Sequence, residues 1–315
     1  MTKVINIDEI KVIDTSNPLD EQEFIKEQYD IETYPFLSLK IDTFEQLEYL
    51  FREIRRDEER KSDKRFKFIY RGQKDFNWIL QSSLERDDKL YGVCFDTLES
   101  ISARNFKELA RGKLSDQSIL RNPNHEELEN EIWAAGQHMG LKSPLLDWSK
   151  VFYIALFFAF EKELEEIKYR AVYRIDTLSL ANHTGHGHVG FIFNPYSDPI
   201  GRITAQQGIF TTYGMVGILN KEEESIEKRN ISLSEKYKDK IRNAIKLYIS
   251  NDLRKEIISY LSHLGIRFET IYPDLQGAVL EANYRLEQSI KNIKKHQEEQ
   301  NQKKQPANRE GIITT

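Results

Sequence analysis

The stretch GQHMGLKSPLLDWSKVFYIALFFAFE, Gly136 to Glu161, joins a polar half to a greasy one. Val151 to Phe160 carries no charge and is bounded by Lys150 on one side and Glu161, Lys162 and Glu163 on the other. A membrane-spanning helix needs about 20 apolar residues, so this run is too short to cross a bilayer. It is apolar around its whole circumference, which predicts a helix buried in a protein core, over about 149–166. The polar half then needs a reason. Asp147 or Ser149 can cap the free N–H groups of that helix. Capping does not explain Gln137 and His138 ten residues upstream. Polar side chains gathered at a helix N-terminus favour an anion. A lone histidine is more often a hydrogen-bonded structural residue than a general base.

Composition narrows the classes. The chain has 315 residues, 39% hydrophobic and 11% aromatic, enough for a real core. A net charge of −5 gives no strong nucleic-acid signal. A single cysteine, Cys94, excludes an internal disulfide, and the N-terminal MTKVINIDEIKVID has no signal-peptide core. Both point to a cytoplasmic protein with no membrane association.

Working outward, the pattern predicts an α+β domain: a mixed, mostly antiparallel sheet of short strands packed with several helices. Residues 1–42 are expected to form an N-terminal arm or small cap, 43–290 the domain, and 291–315 a polar, disordered tail. Phe44, Leu47, Leu50, Phe51 and Ile54 recur at helical spacing over 43–60. In FKFIYRG the alternation puts Phe66, Phe68 and Tyr70 on one strand face, and Lys67, Ile69 and Arg71 on the other. Helices are also expected at 94–114 and 125–139, and strands at 170–176, 189–194, 202–213, 240–249 and 267–273. Ser250-Asn251-Asp252 reads as the cap of a helix carrying Leu253, Ile257, Ile258, Leu261 and Leu264, closed by Gly265. A final helix places Val279, Ala282, Leu286 and Ile290 on one stripe.

Chemistry-bearing residues fall in three stretches. Arg71, followed by Gly72 and Gln73, offers a planar fork that matches phosphate or carboxylate. The competing reading is a structural arginine paired with a carboxylate, Asp147 for instance. Gly72 lets a ligand or another backbone approach. The second stretch supplies Gln137, His138, Asp147 and the amphipathic Trp148. In GRITAQQGIFTTYG, 201–214, an alternating strand would set Arg202, Thr204 and Gln206 on one face and Gln207 on the other, with Gly208 permitting a bulge. Tyr70, Phe210 and Tyr213 flank these groups. His183, His186 and His188 sit close in NHTGHGH, but a polar loop is the plainer reading unless Asp198 or another carboxylate closes a metal site. No Gly-rich phosphate loop and no GxSxG motif is present.

Together, YRGQ at 70–73, the 136–161 stretch, RITAQQGIFTTYG at 202–214 and LSHLGIRFETIYPDLQGAVLEA at 261–282 resemble the FRG domain family, named for a (Phe/Tyr)-Arg-Gly motif. The resemblance runs over about 43–285. It departs from the family at Met139, Ser143-Pro144, Ser149 and Tyr272. It implies a bacterial protein from a conflict or phage-defence setting. The Tyr-Arg-Gly strand is similar to the first motif of ADP-ribosyltransferase folds, which implies Arg71 on the phosphates of NAD and Gln206 or Gln207 at the nicotinamide ribose. The catalytic glutamate expected there is replaced by Gln-Gly.

Two functions stay open. One is an enzyme that uses Arg71, His138, Asp147 and Gln207 catalytically. It would bind a nucleotide, NAD as substrate, through Tyr70, Gly72, Gln73, Gln137, Trp148, Arg202, Gln206, Gly208 and Phe210, and transfer ADP-ribose to a macromolecule. The other is a non-catalytic sensor for a phosphorylated ligand or a phage component. A carboxylate reaching the pocket from elsewhere (Glu108, Glu131 or Asp274) would favour the enzyme.

Overall fold

Strand β3, Phe68–Gln73, organises the fold of a computed structural model that describes residues 12–14, 37–60, 68–78, 80–114, 120, 126–177, 192–211 and 244–304. It belongs to an eight-stranded sheet with β1 (Val12–Asp14), β2 (Leu37–Ile41), β4 (Leu146–Ser149), β5 (Tyr169–Asp176), β6 (Ile192–Phe193), β7 (Gly208–Thr211) and β8 (Ala244–Ser250), in the order β1-β2-β8-β5-β3-β4-β7-β6. Among the described residues only the β2–β8 pairing is parallel; the others are antiparallel. The fold is therefore the α+β arrangement that the pattern predicts. The strands at 12–14 and 37–41 come from the stretch expected to be an arm or cap, yet they pair into the same sheet.

The two edges of β3 are not alike. Toward β5 it keeps register from Phe68 opposite Asp176 to Gln73 opposite Ala171. Toward β4 it shares one register pair, Tyr70 with Ser149. Beyond that pair the two strands separate. Alternation along β3 is as expected. Phe68 and Tyr70 enter the largest apolar cluster, while Ile69 joins a second cluster with Phe76, Leu146 and Tyr173.

The greasy run forms a short buried helix, Phe152–Phe160, within the wider span expected. Tyr153 and Phe158 are half-buried and the other positions are buried. It packs beside the helix Phe44–Arg60, whose Leu47, Leu50, Phe51 and Ile54 enter the same cluster, and the helix Arg254–His263, which contributes Ile257, Ile258 and Leu261. Gly72 shows how close β3 comes to the buried helix. A Cβ there would overlap the Ala155 carbonyl oxygen and come within 2.7 Å of the Ala159 nitrogen. The glycine serves the approach of another backbone, one of the two uses expected of it.

Helix ends show which caps the sequence had identified. The cap expected of Asp147 or Ser149 is not a helix N-cap. Asp147 lies in β4, and the cap position is Val151, with no side-chain cap bond. The Ser149 hydroxyl still accepts from Val151 N–H at 3.0 Å. At the other end, Arg170 donates to the carbonyls of Ala159 at 3.0 Å and Lys162 at 3.1 Å, and Arg254 to those of Phe160 and Glu161 at 3.0 and 3.1 Å. These guanidinium groups satisfy carbonyls that have no helical partner. Burial, with Arg254 nearby, lowers the Arg170 pKa to about 10. The Ser250 hydroxyl caps the turn Asn251–Leu253 by accepting from Asp252 N–H, as expected, and Gly265 follows with φ 77°.

Two expected strands are helical turns instead. Arg202–Ala205 is a short helix leading into β7, and Phe268–Ile271 is another. In both, alternating residues imitate a strand over a length too short to display a 3.6-residue period. The closing helix runs from Leu275 to Lys304, past the start of the expected tail. Its expected stripe is also displaced: Val279, Ala282, Leu286 and Ile290 are exposed, while Gly277 and Glu281 are buried and Leu280 and Tyr284 pack on the core. Leu264 is 49% exposed rather than part of its helix's buried face.

Candidate functional site

Where β3 and β4 separate, a cavity of about 780 Å³ opens, within the range of small-ligand sites, about 300–1,000 Å³. β3 lines it with Tyr70, Arg71, Gly72 and Gln73, and β4 with Asp147, Trp148 and Ser149. Gln137 and His138 reach it from the end of the helix Glu126–Gln137. Arg202, Gln206, Gly208 and Phe210 close the far side. The three separated sequence stretches therefore share one cavity, and of the residues expected to form the site only Gln207 does not line it. Gln207 is exposed, sits at φ 48°, and donates its amide to Thr204 O at 3.2 Å. Its expected catalytic placement is corrected by the turn after Ala205, which carries it away from the cavity. For the same reason Arg202, Thr204 and Gln206 are not three residues on a strand face.

The cavity does not sit at the N-terminus of the buried helix, as an anion site there would require. That helix contributes Phe158, from its C-terminal half, and the following residue, Glu161.

Arg71 spans the gap between the strands. It donates from Nη1 to the Asp147 backbone oxygen at 2.6 Å, while the Asp147 carboxylate lies 3.8 Å away. The Asp147 side chain is 56% exposed, so the pair is not the buried salt bridge that would explain Arg71 as purely structural. The Arg71 Nε is buried and has no hydrogen-bond partner among the described residues. Burial lowers the Arg71 pKa, and Arg86 adds like-charge repulsion that Asp147 and Tyr173 oppose. Asp147 is oriented by Gln137, which donates to it and accepts from the Ser143 hydroxyl.

His138 packs edge-on to Phe210, ring centroids 5.9 Å apart. Its Nε2 is also buried without a partner among the described residues. Burial lowers its pKa; Asp147 and Asp198 oppose that shift and Arg202 adds to it. The imidazole is thereby biased toward its neutral form.

Arg202 is fully engaged. Its Nε and Nη2 each meet Asp274 Oδ2 at 2.8 Å, Nη1 donates to His138 O at 3.0 Å, and Nη2 also donates to Gln276. The Asp274 Oδ1 accepts from the N–H groups of Gln276 and Gly277 and so caps the closing helix. Gln206 donates to Ile271 O at 3.2 Å, and its own carbonyl accepts from the Ser149 hydroxyl. Trp148 is buried and donates to the Thr211 hydroxyl at 2.9 Å.

The sequence did not point to Glu161, Lys74 or Tyr272. Glu161 Oε1 pairs with Lys74 Nζ at 2.7 Å, and Oε2 accepts from the Tyr272 hydroxyl at 2.8 Å. All three line the cavity. Burial, then Glu161, raises the Tyr272 pKa, so its phenol stays protonated. A pocket carboxylate is thus present, though not one of the three considered. Glu108 is exposed, Asp274 holds Arg202, and Glu131 accepts from the backbone N–H groups of Tyr196 and Ser197. Asn77, Trp78, Gln81 and Arg86 complete the rim.

Asp198 caps the helix at 202–205 through the N–H groups of Ile203 and Thr204, at 3.2 and 2.7 Å. His183, His186, His188 and Tyr213 lie outside the described residues. Among the described residues no cluster suited to a metal ion occurs, and no helix is long and apolar enough to cross a membrane. Cys94 is exposed and free.

No curated protein and no solved structure matches the chain. The FRG domain matches residues 66–168, a range that holds the Tyr70-Arg71-Gly72 strand and the whole of 136–161, with the segments around Arg202 and Asp274 beyond it. The two blocks that face each other across the split between β3 and β4 are thus those of the range that matches the FRG domain.

Proposed function

We propose that the cavity binds a nucleotide-type ligand and that the protein transfers ADP-ribose from NAD to a macromolecule. One observation carries this: Arg71 and His138, whose Nε and Nε2 have no partner among the described residues, line the same cavity as the carboxylates Asp147 and Glu161. A guanidinium suits a diphosphate. In the reaction the bond from ribose C1 to the nicotinamide nitrogen breaks, and its electrons leave with neutral nicotinamide. A nucleophilic oxygen or nitrogen of the acceptor bonds to C1 and gives up its proton. Glu161 is suited to stabilise positive charge developing on the ribose. Neutral His138 is suited to accept the proton. Bacterial conflict or phage defence is the setting the family resemblance implies, and a plaque assay with Arg71→Ala tests it.

The second reading, a non-catalytic sensor of a phosphorylated ligand, draws on a specific feature. Both carboxylates are already engaged, Glu161 by Lys74 and Tyr272, and Asp147 by Gln137 and Arg71.

Thermal melts of wild type and Arg71→Ala, with and without NAD, paired with an assay of nicotinamide release, separate these. Transfer predicts an NAD-dependent stabilisation of the wild type, no such shift in a still-folded Arg71→Ala, and nicotinamide release that Glu161→Gln abolishes while binding persists. Binding without release leaves the sensor. No shift in the wild type removes NAD.

A further inference from the structure

One part of the cavity rim is not used by the roles assigned above. The connection after β3 brings Asn77, Trp78 and Gln81 to the cavity, and the helix Ser83–Tyr91 that follows brings Arg86. Trp78 is 51% exposed although it lines a cavity. Its backbone is nevertheless fixed: Trp78 N–H donates to Asp75 O at 3.2 Å, and the Tyr173 hydroxyl donates to Trp78 O at 3.3 Å. An anchored backbone under an open indole makes a ready platform for a flat ring. On the same cavity, Arg86 donates to Gln81 O at 3.1 Å, and among the described residues no carboxylate pairs with it. Arg71 and Arg86 repel one another as like charges, and Asp147 opposes that effect at Arg71. The Asn77 Oδ1 is buried and lacks a partner among the described residues.

We propose that this rim is a nucleoside-diphosphate subsite: the base stacks on Trp78, Arg86 joins Arg71 on the diphosphate, and the amides of Asn77 and Gln81 meet the edge of the base. Stacking on an aromatic face tolerates any base. Two guanidinium groups on adjoining segments match two phosphates better than one. The subsite rests on the nucleotide reading of the cavity. It adds which end of the ligand lies where: the diphosphate between Arg71 and Arg86, the base outward on Trp78, and the remaining group inward toward Glu161 and His138.

Calorimetric titration of the full chain with ADP, inorganic pyrophosphate and adenosine tests it. ADP is expected to bind more tightly than pyrophosphate, and adenosine more weakly than either. Trp78→Ala should weaken ADP by roughly tenfold or more and leave pyrophosphate unchanged, while Trp78→Phe should retain most of the ADP affinity. Arg86→Gln should weaken ADP and pyrophosphate alike and flatten their dependence on salt. Both side chains are exposed, so folding is expected to survive these changes. If ADP binds, Arg71→Ala abolishes binding, and Trp78→Ala and Arg86→Gln have no effect, the subsite is wrong while the nucleotide cavity stands. If neither ADP nor pyrophosphate binds the wild type, both fall together.

Discussion

The cavity has two walls built around arginines, and they are made differently. On the β3 wall, Arg71 holds a backbone oxygen with one nitrogen, stands 3.8 Å from a mostly exposed carboxylate, and has no partner for Nε among the described residues. On the opposite wall, Arg202 meets Asp274, Gln276 and the His138 carbonyl, and its guanidinium lies 5.4 Å from the Tyr272 ring centre. Donors already matched add little to a new ligand, whereas a buried donor left unmatched gains its full hydrogen bond. On the function proposed above, the Arg202 wall holds the protein together and the Arg71 wall holds the ligand.

Substitutions can break or sharpen that contrast. The largest effect is expected at Gly72, which seats the β3 wall against the buried helix. Gly72→Val should cost at least about 3 kcal/mol, because the added carbons overlap backbone rather than a yielding side chain; a denaturant titration measures it. Next comes Arg202→Ala. It strips Asp274 Oδ2 of its guanidinium partner and should lower stability by about 2–3 kcal/mol, read as a shift in denaturation midpoint. An equal loss in Arg71→Ala would erase the contrast. Arg71→Ala is expected to cost about 1.5 kcal/mol, with its main consequence in ligand titrations. Tyr272→Phe, which removes a hydroxyl from Glu161, should cost about 1 kcal/mol.

The smallest effect is in pH. Burial depresses the His138 pKa in the folded state, so the unfolded chain binds the proton more readily. Stability is fully present above the unfolded value, about 6.5, and falls as pH drops below it. The loss from this group is at most about 0.7 kcal/mol between pH 7 and pH 6. His138→Gln should remove that component from melts recorded across the same range. A His138→Gln melt with unchanged acid sensitivity would contradict the assigned burial effect.

Much of this was legible in local pattern. An uncharged run between charges announces a buried helix, and alternation in FKFIYRG sorts Tyr70 from Arg71. Three motif-bearing stretches indicated one cavity because each carried polar groups with no obvious local use. What local pattern lacks is information on where neighbouring strands part. Trp78 and Arg86 line the cavity that opens where β3 and β4 stop pairing, and nothing in YRGQ encodes that. Glu161 looked like the charged stop of an apolar run, and its pairing with Lys74 and Tyr272 joins residues far apart in sequence. Gln207 was misplaced because Arg-Ile-Thr-Ala alternates like a strand while folding as a single helical turn.

The close seat of Gly72 on the buried helix also has a bearing on register. If β3 slipped by one residue, either Arg71 or Gln73 would present a side chain to the Ala155 carbonyl, where no Cβ fits. The missing side chain therefore works as an indexing notch: it admits one alignment of strand to helix, and in that alignment the neighbouring guanidinium always emerges on the same side.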